Sequence, residues 1–158
     1  MANYGLVSMQ SHVSARETLN CLLAALAARK LTVFAPADHA AGAASFGLPL
    51  RPTEVVIFGN PKDGTALMQD QQSAGIDMPL KALVWEDADG KVWVTYNDPA
   101  WVAQRHGLGV ASAAAVKAMS ALLSAIAQES HTVKPRSPQR RSASAFGDVR
   151  FGVKRTSS

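Results

Sequence analysis

Residues Leu80–Asp98 read LKALVWEDADGKVWVTYND. Two runs rich in β-branched and aromatic residues flank a turn with Asp89-Gly90 at its centre, and these turn residues tolerate the backbone geometry that a tight hairpin needs. A hairpin can join only antiparallel strands, so this stretch sets the character of the sheet. Downstream, Asp98 and Pro99 open a helix as cap and first helical residue over DPAWVAQRHGL. The alanine-rich stretch SAAAVKAMSALLSAIAQES then forms a last helix, with Val116, Met119, Leu122, Leu123 and Ile126 on one stripe.

Upstream the signals alternate. YGLVSMQ and LTVFAPAD read as strands, and TEVVIFG is apolar enough to be buried on both faces. Ser14 and Glu17 have capping-box spacing, ahead of a helix carrying Leu19, Leu22, Leu23 and Leu26 on one face. HAAGAASFGLPLRP is a small-residue helix or loop, and a further helix is expected from Lys62 to Ala74. The order β-α-β-(α)-β-α-β-β-α-α describes a single α+β domain. Its architecture is an α/β sandwich: a mixed or mainly antiparallel sheet of about five strands with helices packed on one side.

The chain has 158 residues, which suits one folded unit, and a formal net charge of +4. That charge is unevenly distributed: residues 131–158 hold seven basic residues and one acidic, whereas residues 1–130 hold nine and eleven. The Ser-, Arg- and Pro-rich tail over residues 131–158 reads as disordered, either a solvated extension or a weak electrostatic contact with nucleic acid. The N-terminus lacks a secretory signal pattern and no apolar run of transmembrane length is read, so a cytoplasmic location without a membrane partner is expected. Cys21 is the only cysteine, which excludes an internal disulfide and reads as a buried structural residue.

The stretch VVIFGNPKDGTALM (Val55–Met68) sits where a phosphate-binding loop would. Gly59 and Gly64 have the P-loop spacing, but Thr65 stands where the lysine belongs and Pro61 removes an amide from the cradle. Asn60 as N-cap, Pro61 as first helical residue and Asp63 in the first turn explain the same residues as an ordinary helix start. Gly64 is left over. A glycine inside a first turn lowers stability, so its presence asks for a ligand or a neighbouring backbone close by.

Chemistry elsewhere is sparse. His39 and His106 are the candidates for a general base, and His12 and His131 lie in flanking segments. No histidine pair has metal-ligand spacing, so no metal ligands are assigned; a metal site assembled from distant segments stays as an alternative. No nucleophile elbow accompanies the serines. Arg51, Glu54, Lys81 and Glu86 are charges at strand positions, read as structural pairs or as the lining of an anion pocket. Trp85, Trp93, Tyr96 and Trp101 serve the core, a ligand-stacking wall or a subunit interface.

Four blocks, DHAAGA, LRPTEVVIFGNPKDGTALMQ, MPLKALVWED and VWVTYNDPAWVAQRHGL, together resemble the prokaryotic family called domain of unknown function 302, over about residues 4–108. The resemblance implies a compact α/β domain with an antiparallel sheet that self-associates into dimers, and it brings no established activity or cofactor. The chain divides accordingly into the domain at residues 1–109, an amphipathic helix at 110–130 and the basic tail. The motif residues include Asp38, His39, Arg51, Glu54, Phe58, Gly59, Asn60, Lys81, Tyr96, Asn97, Asp98, Arg105 and His106. The functional expectation is a non-catalytic homodimeric domain that binds a small anionic ligand or a partner. Its binding residues are Arg51, Glu54, Gly59, Asn60, Gly64, Lys81, Tyr96 and Asn97, the pocket lying near Asn60, Arg51, Lys81 and His39. An enzyme using His39 or His106 is the runner-up.

Overall fold

The computed structural model describes residues 4–132; the tail reading falls outside them, apart from its first two residues. The strands are β1 (Leu6–Ser11), β2 (Thr32–Asp38), β3 (Thr53–Gly59), β4 (Leu80–Glu86) and β5 (Val92–Asn97). They form one sheet in the order β1-β5-β4-β3-β2 with every neighbouring pair antiparallel, so the mixed alternative drops out. The deciding hairpin closes through Asp87, whose side chain accepts from the amides of Asp89 and Lys91, while Gly90 adopts φ +75°.

Among the described residues five α-helices accompany the sheet: α1 (Ala15–Ala28), α2 (His39–Ser45), α3 (Pro61–Asp70), α4 (Pro99–His106) and α5 (Val110–Thr132). Ser14 and Glu17 make the capping box of α1 in full, and Asp98 caps α4 ahead of Pro99. The helix expected from Lys62 to Ala74 is in fact two elements, because α3 ends at Asp70 and a short 3-10 helix occupies Gln72–Asp77. Gln71 between them is extended, which turns the chain so that Ala74 is buried beside Leu67 and Met119.

Strand alternation gives the sheet two unlike faces. Val56 and Phe58 of β3, Val84 of β4 and Val94 and Tyr96 of β5 point at the helices, where Leu22 and Leu26 of α1 and Leu123 and Ile126 of α5 meet them. Leu22, Leu26 and Phe58 are wholly buried, each contributing roughly 1.5–3 kcal/mol by leaving water. The opposite face carries half-buried Val55, Ile57, Leu83, Trp85 and Trp93, the two indoles stacking at 6.4 Å. At one margin β2 is exposed along almost its whole length and holds Pro36 opposite Val56.

The last helix corrects the sequence reading on one point. Val110–His131 is long and apolar enough to cross a membrane by length and composition, with mean hydropathy 1.7. Alanine supplies much of that apolarity, which is why no conventional span stood out. Here the helix lies against α1, α3 and α4, and it is held by polar ties at both ends. Near its start Asp70 accepts from the Gly109 amide at 2.8 Å and the Ser112 hydroxyl at 2.7 Å. Near its end Arg29 and Glu129 form a two-pronged pair.

The bond from Ser112, followed by that from Gly109, holds the Asp70 carboxyl below its ordinary pKa. A depressed carboxylate contributes stability above its unfolded pKa of about 4, and the contribution is lost as pH falls through the lower folded value. Asp70→Asn should therefore be less stable than the parent at neutral pH, with the gap narrowing toward about pH 3. Urea midpoints at the two pH values check this; a gap independent of pH would assign Asp70 a purely neutral hydrogen-bonding role.

Candidate functional site

A cavity of about 800 Å³ opens where the end of β3, the first turns of α3 and the middle of α5 diverge. Leu31, Phe34, Met68, Met78, Leu80, Met119 and Leu122 make its walls, and Ala115 and Ala118 of α5 leave the space that larger side chains would fill. Polar groups are confined to Arg29, Asn60, Asp63 and Thr65. Most of these already have partners within the fold: Arg29 is bound to Glu129, the Thr65 hydroxyl donates to the Pro61 carbonyl, and the Asn60 side chain accepts from the Lys62 amide. The Arg29 bond holds the Glu129 carboxyl below its ordinary range, so the pair is charged and mutually neutralised.

Gly59, Asn60 and Gly64 all line this cavity, yet their loop offers no phosphate cradle. Pro61 has no amide hydrogen, Lys62 N donates to Asn60 Oδ1, and Asp63 N and Gly64 N both donate to the Asn60 carbonyl. With those donors used internally, nothing at the helix start is left to surround an anion. The question posed by Gly64 also has an answer. A Cβ there would meet only Met78 and Met68 side-chain atoms, at 3.8–3.9 Å, so no backbone crowds it and the residue faces the cavity.

The remaining expected residues are not gathered around Asn60. β3 runs from Thr53 to Gly59, so six residue steps, roughly 20 Å, separate Arg51 and its surroundings from the cavity. Arg51 is exposed and donates from Nε to the Glu86 carbonyl. His39 is exposed at the start of α2, at the same end of the sheet as Arg51. Glu54 sits opposite Asp38 and lines a smaller cavity of about 240 Å³ with Arg16. Lys81 donates to the carbonyls of Asp77 and Pro79, and Asn97 ends β5. Tyr96 belongs to the core, where burial and then the nearby Asp98 push its phenol pKa up. The expected pocket of Asn60, Arg51, Lys81 and His39 thus divides: Arg51 and His39 lie at the far end of the sheet, while Lys81 follows the cavity-lining Leu80 near Asn60.

His106 has a more organised setting than His39. Its Nε2 lies 2.6 Å from Asp77 Oδ2 and its Nδ1 2.9 Å from Ser73 Oγ, with the ring almost fully buried. A carboxylate can only accept, so Nε2 is the donor toward Asp77, while Nδ1 and the Ser73 hydroxyl share the second bond. Arg105 also reaches Asp77, at 3.2 Å, and lies over the Trp101 ring. The chain Ser73–His106–Asp77 has the composition of a hydrolytic triad, but neither Ser73 nor His106 lines either of the two cavities described. These bonds fasten the end of α4 to the 3-10 helix, whose Gly75 and the adjoining Met78 wall the large cavity. Among the described residues no cluster of three or more His, Cys, Asp or Glu is placed to hold a metal.

Sequence reasoning missed Arg29, Met68, Met78, Met119 and Leu122. The available signal was three methionines in separate elements, a residue type suited to irregular and adaptable apolar surfaces.

A two-layer domain of antiparallel sheet and helices, with an apolar cavity at one end of β3, is the class defined here. The chain belongs to the family described as domain of unknown function DUF302, whose profile it matches over residues 7–126, well into α5. A crystal structure of an uncharacterized conserved DUF302 protein from Bacillus stearothermophilus shares this fold, with a TM-score of 0.70 at 14% identity over 79% of this chain and 97% of that one. Curated relatives include fluoride-specific ion channel FluC 1 of Brucella suis biovar 1, 53% identical over 115 residues, covering 73% of this chain and 45% of the relative. The protein of the same name from Brucella abortus biovar 1 is also 53% identical over 115 residues, covering 43% of its length. The chain therefore spans less than half of the curated relatives it matches.

Because Gly64 lies within α3 and an added Cβ would make only ordinary contacts with Met78 and Met68, Gly64→Ala should raise stability by about 0.5–1 kcal/mol through the better helix propensity of alanine. A higher urea midpoint is the expected readout; a lower one would mean that the missing side chain serves the packing of Met68 and Met78.

Proposed function

We propose that this chain is a non-catalytic binding domain whose site is the apolar cavity between α3, α5 and the end of β3. The observation carrying this reading is the wall itself, in which Met68, Met78, Met119, Leu122, Phe34 and Leu80 enclose a space of ligand size. Small-molecule sites are commonly apolar concavities with a few polar groups at fixed points, and methionine walls adapt to ligand shape. The ligand class favoured is the apolar part of an amphiphile. A small anion is disfavoured, because the loop amides and Arg29 are already engaged.

A second reading concerns context and draws on the curated relatives. At 53% identity the matched 115 residues of those proteins share this α+β fold, so more than half of each relative lies outside it. Among the described elements one helix, α5, is long and apolar enough to cross a membrane, and here it packs against α1, α3 and α4, whereas a pore needs several spans whose backbone groups are satisfied within helices or closed barrels. We infer that the domain acts as an accessory unit beside a channel of the fluoride-specific class, its cavity receiving an apolar ligand or segment there.

For the cavity, decanol and decanoate should both raise the melting temperature of the parent chain, since a ligand of the folded state stabilises it. Leu122→Trp, which fills the space, should abolish the rise while the variant remains folded. No shift from either compound would sink the ligand reading. For the accessory role, purified chain added to vesicles holding a fluoride-specific channel should alter fluoride efflux at an ion-selective electrode, or co-elute with the channel in detergent. Neither effect at micromolar protein would remove that reading.

A further inference from the structure

The cavity lies beside the point at which the described chain leaves α5. Glu129, three residues before the end of the helix at Thr132, is bound to Arg29, and Arg29 lines the cavity. Residues 133–158 follow directly. They are mostly polar and basic, yet they contain two of the chain's five phenylalanines, Phe146 and Phe151. Around these the sequence AFGDVRFGVKR places Val149, Phe151 and Val153 at alternate positions, with Arg150 and Lys154 between and after them. In an extended conformation that spacing sets three apolar side chains on one side of the segment and the cations on the other.

We propose that residues 145–153 of this chain are an intramolecular occupant of the cavity, with Phe146 or Phe151 seated among Met68, Met78 and Met119. The inference rests on the cavity reading above and names what fills the site when no other ligand does. Geometry permits it. Leu122 lies ten residues before Thr132, about 15 Å along the helix, whereas the thirteen residues from Thr132 to Ala145 can span up to about 45 Å. Charge favours it as well: residues 131–158 carry a net +6 and residues 1–130 a net −2, with the Asp63 carboxylate on the cavity lining. A tethered segment acts at about millimolar effective concentration, so even weak contacts keep it in place and an incoming ligand must displace it. The tail thereby sets the threshold for ligand binding, where the sequence alone suggested only a solvated extension or an electrostatic contact.

The test uses the full chain and the fluorescent amphiphile anilinonaphthalene sulfonate. The double variant Phe146→Ser/Phe151→Ser should bind the dye on the order of five- to ten-fold more tightly than the parent, given a weak tail competing at millimolar effective concentration. Leu122→Trp should abolish that binding in both backgrounds. In parallel, Phe151→p-benzoylphenylalanine should on irradiation cross-link within one chain to peptides containing Met68, Met78 or Met119. Equal dye affinity in parent and double variant, still lost with Leu122→Trp, would overturn the tail as occupant while leaving the cavity as a site. Cross-links found only between chains would assign the segment to a second copy and overturn the intramolecular form. Absence of any dye binding sensitive to Leu122→Trp, together with absence of cross-links, would overturn the cavity reading and this inference with it.

Discussion

A five-stranded sheet with one strongly apolar face needs a helical cover, and the rest of this structure follows from how incompletely two helices can supply it. α1 and α5 meet over the middle of the sheet, where Leu22, Leu26, Leu123 and Ile126 close on Phe58, Val84 and Val94. At the end of β3 that cover is incomplete, and the cavity opens there. The space there falls to α3 and the 3-10 helix, which reach it from the side and leave a gap lined by methionines. α5 is the common wall of core and cavity, so its position decides both. That position is set by polar ties at either end, Asp70 near the start and Arg29–Glu129 near the finish, with apolar contact between them.

Much of this fold was written in local sequence. The Asp89-Gly90 turn, the Ser14/Glu17 box, Asn60-Pro61 and Asp98-Pro99 each act within a few residues, and each appears where the spacing placed it. Local signals failed where a distant contact decided the outcome. α3 ends at Asp70, and that carboxylate is bound to Gly109 and Ser112, thirty-nine and forty-two positions away. No helix-propensity argument over Lys62 to Ala74 contains that information. The apolarity of α5 is hard to read for a different reason, since eight of its 23 residues are alanine and signal helix more than apolarity.

The candidate site was less legible, and the reason is geometric. Arg51, His39 and Asn60 are close in sequence, but an intervening strand is a rigid spacer and carries them to opposite ends of the sheet. The residues that do converge come from the end of α1, the margin of β2, α3, the 3-10 helix and α5, and most are apolar. Apolar residues leave no chemical signature in a sequence, because the same leucine serves core and cavity alike. His106 shows the reverse case. Its Asp77 and Ser73 partners have a catalytic composition, and the same bonds tie the end of α4 to the 3-10 helix beside the cavity, which no spacing in the sequence announces.

Pro36 on the exposed strand β2 carries one further implication. A proline can be accommodated there only with its ring nitrogen turned away from β3, so the free margin of the sheet has a missing donor in its middle. A newcomer laid along that margin would find an interrupted row of backbone partners, which denies it the sequence-blind adhesion by which sheets extend into fibres. A partner at this margin, unlike one at the opposite margin formed by β1, must be selected by the shape and chemistry of side chains.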